Sequence, residues 1–442
     1  MIFKKFPLTT ISSLSLLLNL LICQSAFAIP TIQHWQTDNG ARVYFVPAPE
    51  LPMVDVEIVF EAGSARDAET PGLAMLTNSL LSEGAGGYSA DQIAETFDNL
   101  GAKIGYSVER DMATVSLRSL TESQLLQPAL KMLALLMVQP DFDKASLERV
   151  RQQMLVGLKY QQQSPSAIIS NAFYPAVFGT HPYATPSDGT IDSVTALSRD
   201  DIKAFHTQYY VAKNAVVAIV GAMDRKGAEK LVNTIIAGLP SGEMPAPLPA
   251  PSPLTKAQTI HIEHPSTQTH IIMGQPGIAR GDIDHFTLYV GNYILGGSGL
   301  VSRLAEEIRE KRGLAYSVYS YFLPKRVKGP FIARLETRNE QTEQALKVMQ
   351  ETLHDFIEKG PSQAQLSKAK LGITGSFPLR IAENSDIIGY LSVIGFYGLP
   401  LDYLHNFNKN IEAVTLEMIK ETFQRRLHLD KWVTITVGKK QP

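Results

Sequence analysis

Cysteine is nearly missing from this chain: 442 residues include one, Cys23. A disulfide framework is therefore excluded. Charge of one sign is also lacking, with 41 Lys and Arg against 43 Asp and Glu and a formal net charge of -2. No basic cluster breaks that balance, so nothing supports nucleic-acid binding. A long hydrophobic run is absent as well, since the most apolar stretch, 11–22, is about a dozen residues where a bilayer span needs about 20. What remains, 44% hydrophobic and 19% charged, is ordinary globular composition with length for two or more domains.

The short apolar run has a reading of its own. Lys4 and Lys5 precede it and Ala26-Phe27-Ala28 follows, the pattern of a secretory signal peptide (1–28) cut after Ala28. Cys23 is the candidate for lipidation, but bulky Ile22 before it favours cleavage at Ala28. The expected location is the periplasm of a Gram-negative-type bacterium, and a secreted chain this long buries a core without cross-links.

Along the rest, periodicity predicts strands over 43–46, 54–60, 113–117 and 215–220, and helices over 72–83, 90–100, 122–137, 144–163 and 200–210. At 240–253 the sequence becomes PSGEMPAPLPAPSP, which excludes helix and predicts an extended linker, 240–256. The linker separates a unit at 29–239 from one at 257–442, and the second repeats the first. QLLQPALKMLALLM at 124–137 matches QTEQALKVMQETL at 341–353, and LGAKIGYSV from Leu100 matches RGLAYSVYS from Arg312. A period of about 210 residues is far beyond the 20–50 of a solenoid repeat. The expected class is α+β: two homologous domains, each an antiparallel sheet with helices packed mainly on one face.

One stretch carries candidate chemistry, 296–320, GGSGLVSRLAEEIREKRGLAYSVYS. Gly296, Gly297, Ser298 and Gly299 predict a flexible loop. Leu300, Leu304 and Ile308 then predict one apolar helix face, and Gly313 a helix stop. Arg309 falls in the last turn and Tyr316 just beyond it, two hydrogen-bond donors able to meet beside the loop. The plainer reading is a solvated helix with Glu307 and Lys311 paired at i, i+4.

Four segments carry a family resemblance: AGSARDAETPGLAMLTNSLLSEG at 62–84, FGTHPYATPSDGTIDSV at 178–194, NAVVAIVGAMD at 214–224 and LGGSGLVSRLAEEIREKRGLAYSVYS at 295–320. Over nearly the whole chain after residue 28, the sequence resembles the pitrilysin or insulinase-type metallopeptidases. The resemblance implies an H-x-x-E-H zinc helix just after Gly72-Leu73-Ala74, two His as ligands and the Glu as general base. Met75, Asn78 and Ser79 occupy those three positions. A thioether, an amide and a hydroxyl are poor zinc ligands, and none activates water at neutral pH. The third ligand implied is a Glu on the helix containing 155–158, yet no Glu occurs between Glu148 and Glu229. His261, Glu263 and His264 lie on an alternating strand that points His264 away from the other two, and His181 belongs to a structural HPY turn. No metal or other cofactor is therefore expected in this chain.

The resemblance also implies that Arg309 and Tyr316 face a zinc from the other homologous domain, behind the glycine-rich loop. Two such donors suit the oxyanion of a tetrahedral intermediate. The expected division of labour gives this chain Arg309 and Tyr316, and gives zinc and base to a homologous H-x-x-E-H-containing subunit. Substrate would be a peptide or unfolded polypeptide added as a strand to a sheet edge, with the Pro-rich segment as a hinge. Two other readings stay open: an inert structural or peptide-binding homologue, and an independent zinc enzyme.

Overall fold

The computed structural model describes residues 29–440. The signal-peptide reading, with Cys23 and the cleavage point at Ala28, lies outside the described residues. In the first half the strands are β1 (Gln33–Gln36), β2 (Arg42–Pro47), β3 (Met53–Phe60), a short hairpin β4 (Gly84–Ala85) and β5 (Tyr88–Ser89), β6 (Lys103–Val108), β7 (Ala113–Leu120) and β8 (Ala215–Gly221). Its helices are α1 (Leu73–Ser79), α2 (Ala90–Asn99), α3 (Ser123–Val138), α4 (Lys144–Gln161), α5 (Pro165–Phe178), α6 (Ile191–Ala196), α7 (Arg199–Tyr209) and α8 (Arg225–Ile236). The second half has β9 (Gln258–Glu263), β10 (Gln268–Pro276), α9 (His285–Asn292), β11 (Ala315–Phe322) and β12 (Pro330–Arg338). It continues with α10 (Thr342–Lys359), α11 (Gln363–Ser376), α12 (Asn384–Tyr397), α13 (Tyr403–Glu412), α14 (Leu416–Arg426) and β13 (Val433–Gly438). No helix among the described residues is long and apolar enough to cross a membrane.

The internal repeat is visible in the strand order. One sheet runs β1-β2-β8-β3-β7-β6 and the other, written from the opposite edge, β9-β13-β10-β12-β11. β2 is parallel to β8 and β9 is parallel to β13, while every other pairing within these two sheets is antiparallel. Apart from the added edge strand β1, each half thus begins and ends with neighbouring parallel strands, and the antiparallel strands lie between them. By this correspondence α3 matches α10, β6 matches β11, and α1 matches α9. The helix bearing Arg309 therefore corresponds to α2, and the degenerate zinc helix α1 has a different counterpart.

The halves exchange a helix. α5 of the first half packs on β10 and β13, and α12 of the second half packs on β8, β3 and β2. This exchange explains why β8 (AVVAIVG) is buried at every residue. Val217 and Ile219 enter the core of the first half, whereas Val216, Ala218 and Val220 join the core that contains Ile388, Leu391 and Ile394 of α12. A strand covered on both faces reads as a continuous apolar run. Gly395 permits the contact, since a Cβ there would lie 2.6 Å from Tyr44 and Val216 side-chain atoms. α5 mirrors this, with Ile169 and Phe173 against Ile272, Val433 and Ile435. Each sheet therefore has its own helices on one face and one borrowed helix on the other.

Glu57 of β3 sits on the face covered by α12, and burial pushes its carboxyl up to about 7. Because the folded value is above the unfolded one, the favourable contribution is fully present below the ordinary carboxylate range and is lost as pH rises through about 7. Glu57→Gln is expected to raise the unfolding midpoint at pH 8, by the equivalent of about 2 kcal/mol, and to leave it nearly unchanged at pH 4. Calorimetry of both proteins at the two pH values checks this.

The Pro-rich segment is extended, as its composition predicts, but it is not a free hinge. Pro240 and Ser241 carbonyls accept from Ala212 and Lys213 N–H at 2.8 and 3.0 Å. Further on, Pro249 O meets His181 Nε2 at 2.9 Å, and Leu248 is buried beside Phe173 and Val433. The segment is a strap fastened along its length.

Candidate functional site

α1 begins at Gly72, whose φ of 92° requires glycine. Asp67 accepts from Gly72 N and Ala74 N, both at 2.8 Å, holding the helix start although burial pushes its carboxyl up to about 7. Met75 and Ser79 are half-buried and Asn78 is buried. The Asn78 amide donates to Tyr210 Oη at 3.1 Å and to Thr114 O at 3.5 Å, so it serves packing between helix and sheet. On α4 the residues nearest the implied third ligand include Val156 and Tyr160, both exposed. Arg151 there binds the carbonyls of Val194, Thr195 and Leu197. A thioether, a committed amide and a hydroxyl do not fit a zinc ion, and no group of three or more metal-binding side chains converges among the described residues.

The three histidines singled out in the sequence, His261, His264 and His181, are occupied. His261 Nδ1 meets Thr436 Oγ1 at 2.9 Å and its Nε2 meets Glu263 at 3.3 Å. His264 Nδ1 instead accepts from Ser266 N at 3.2 Å. His181 is fixed by Tyr183 N at 3.0 Å and by the strap carbonyl of Pro249.

Arg309 lies in a wide π-helical segment, Ala305–Glu310, which Gly313 ends at φ 60° with its N–H on Arg309 O at 2.9 Å. Leu304 and Ile308 are buried as the periodicity predicts, but Leu300 and Val301 are exposed at 59% and 83%. The physical reason is a break at Ser302, whose hydroxyl accepts from Ala305 N at 3.3 Å and caps the helix there. Leu300 belongs to a separate turn, Gly299–Val301. The glycine run is also less mobile than expected. Gly296 and Gly297 close a π-helical turn, Tyr293–Gly297, and a Cβ on Gly296 would stand 2.5 Å from Ser320 N. Asn292 and Ser320 exchange hydrogen bonds of 2.9 and 2.7 Å beneath that turn. Ser298 and Gly299 continue toward the exposed Leu300.

The two donors meet. The Arg309 guanidinium carbon is 4.7 Å from the Tyr316 ring centroid, a cation–π distance. Tyr316 is 81% exposed, while Arg309 is half-buried. Glu307 is engaged by Lys311 at 2.6 Å and Arg312 at 2.7 Å, and no carboxylate among the described residues pairs with Arg309. No hydrogen bond, ion pair or ring contact joins Arg309 or Tyr316 to Met75, Asn78 or Ser79.

A polar knot between the halves escaped the sequence reading. Asp111, buried in the β6–β7 turn, accepts from Tyr183 Oη at 2.6 Å, Tyr397 Oη at 2.9 Å and Arg326 N at 2.7 Å. Burial raises both phenols, and Asp111 raises them further. Beside it Glu61 pairs with Arg66 and, at 2.9 Å, with Arg326. The available signal was the HPY turn, which supplies Tyr183.

A repeated α+β unit with exchanged helices, a first half without zinc ligands and an Arg–Tyr pair with an exposed phenol in the second define a paired-domain peptidase homologue. Comparison with known proteins agrees. Residues 42–190 match the family described as insulinase (peptidase family M16), and residues 196–373 match the peptidase M16 inactive domain. A crystal structure of a peptidase M16 inactive domain from Pseudomonas fluorescens is 42% identical, covers 93% of this chain and 98% of its own, and superposes with a TM-score of 0.90. An uncharacterized zinc protease of Streptomyces coelicolor is 28% identical over 81% of this chain and 79% of its own length. A Helicobacter pylori protein named as a non-peptidase homolog is 25% identical over 88% and 90%. The chain belongs to the insulinase-type M16 peptidase family.

Proposed function

We propose that this chain is the non-catalytic, activity-completing subunit of a periplasmic zinc-dependent peptidase heterodimer that degrades peptides or unfolded polypeptides. The observation that carries the reading is the pairing of half-buried Arg309 with exposed Tyr316, with no acid partner, in a chain whose first half has no ligand set. Zinc and general base come from a homologous H-x-x-E-H subunit. Arg309 and Tyr316 donate to the substrate carbonyl as its oxygen gains negative charge, a role worth about 3 kcal/mol of barrier per donor. Exposed polar side chains of this kind on a rigid scaffold are the usual currency of a site.

The test is co-expression with an H-x-x-E-H homologue from the same genome. The purified pair is expected to hydrolyse an unfolded peptide, zinc is expected to co-purify with the partner, and each chain alone is expected to be inactive. Hydrolysis by this chain alone, with metal bound, would overturn the reading. The second reading, an inert peptide-binding scaffold, draws on the non-peptidase homolog from Helicobacter pylori. It predicts peptide binding by this chain with no gain in hydrolysis when the partner is added.

A further inference from the structure

A concave site in the same half reaches Gly297 of the glycine turn, but neither Arg309 nor Tyr316 lines it. It is a cavity of about 610 Å³ between β11, α9 and the helices that follow, within the range of ordinary small-ligand pockets. Leu288, Phe322 and Phe407 form apolar walls, and its polar lining includes Arg280, Arg380, His285, Tyr289, Tyr390 and Tyr403, with no Asp or Glu.

The charges in it are not balanced. No carboxylate among the described residues forms an ion pair with Arg280 or Arg380, and nearby Asp282 is engaged by Arg426 at 2.8 Å. Arg380 Nη1 donates to Tyr289 Oη at 2.7 Å, which orients the guanidinium without neutralising it. Arg280 stands 5.4 Å from the Tyr397 ring, and its Nε is buried without a hydrogen-bond partner. His285 Nδ1 is buried without one too, while Tyr403 Oη meets its Nε2 at 3.3 Å. Burial, reinforced by Arg280, lowers His285 to about 4, so the ring is neutral at pH 7. In the tautomer where Tyr403 donates to Nε2, Nδ1 carries the proton and is a donor without an acceptor. A half-buried guanidinium with an unpartnered Nε, an exposed Arg380 at the rim and an unpartnered imidazole nitrogen suit an anionic partner.

We infer that this cavity binds a carboxylate carried on an aromatic or branched apolar body, the anion held by Arg280, Arg380 and His285 and the body by the aromatic walls. The planar, forked donors of Arg match a carboxylate's two oxygens. Two sources share this chemistry: the C-terminal end of a peptide with a large apolar last residue, and a free organic acid. The inference stands apart from the proposed role of Arg309 and Tyr316, since it concerns binding by this chain alone.

Isothermal titration of the purified full chain tests it with three probes: N-acetyl-L-phenylalanine, its neutral amide N-acetyl-L-phenylalaninamide, and 3-phenylpropionate. N-Acetyl-L-phenylalanine is expected to bind, with the amide at least about ten-fold weaker, the loss of one charge-assisted contact. Arg380→Gln, at the exposed rim where folding is not at stake, and Arg280→Gln are each expected to weaken binding of the acid about ten-fold or more. 3-Phenylpropionate binding as tightly as N-acetyl-L-phenylalanine assigns the site to free acids, and ten-fold weaker binding assigns it to chain ends. Equal binding of acid and amide, no binding of either acid up to about 10 mM, or unchanged binding by folded Arg380→Gln overturns the inference.

Discussion

Arg309→Ala in the assembled pair is expected to lower peptide hydrolysis by about 10²–10³-fold, and Tyr316→Phe to lower it comparably, with most of the loss in kcat. The reason is geometric. The Arg309 guanidinium lies 4.7 Å from the Tyr316 ring, so both donors reach one small region in front of the chain. A donor that acts on developing charge contributes more in the transition state than in the bound substrate. The double variant is expected to lose less than the product of the single losses, because neighbouring groups that share one oxygen are coupled. Three controls separate this from damage to the complex: zinc content of the partner, elution of the pair as one species, and an unchanged unfolding midpoint. Undiminished hydrolysis in either single variant would show that this chain contributes only structure. Tyr316 is 81% exposed, so Tyr316→Phe removes a hydroxyl at little cost to the fold.

Asp111→Ala is expected to destabilise the chain by about 3 kcal/mol or more, and to do so through the junction between the halves. The variant strands the hydroxyls of Tyr183 and Tyr397 and the N–H of Arg326, three donors that Asp111 now satisfies. Tyr183 is fully buried, so water does not readily replace the lost acceptor there. Tyr397 ends α12, the helix lent to the first sheet, and Arg326 belongs to the β11–β12 connection. Hydrogen exchange is therefore expected to speed up in α12 and in the strands it covers, while the α3–α8 layer keeps its protection. Denaturant unfolding checks the magnitude. A uniform rise in exchange over the whole chain, or a loss under about 1 kcal/mol, would mean that the knot does not hold the halves together.

Much of this molecule is legible from local pattern. The α+β class, the internal repeat and the family follow from strand and helix periodicity and from quoted segments, and strand order and the matched families agree with them. The helix over 122–137 is found at Ser123–Val138, and the one over 144–163 at Lys144–Gln161. Local pattern failed where a short polar residue or a distant contact took over. Ser302 breaks the apolar stripe and leaves Leu300 in solvent, because a hydroxyl cap outweighs one residue's place on a face. The glycine run looked mobile, yet Gly296 is small because Ser320 lies against it, a contact across 24 positions that no window reveals.

The sequence by itself determined that the zinc-motif positions hold Met75, Asn78 and Ser79, and that Arg309 and Tyr316 flank a helix stop, since side-chain identity and short-range spacing are written in the order of residues. Tertiary structure alone decided that the guanidinium and the phenol face each other, that α5 and α12 are exchanged, and that Asp111 joins the halves. It also gathered Arg280, Arg380 and His285 around one cavity. These are contacts between groups far apart in the chain, and what selects them is the burial of two sheet faces and the pairing of polar groups that burial requires. Neither leaves a period in the sequence.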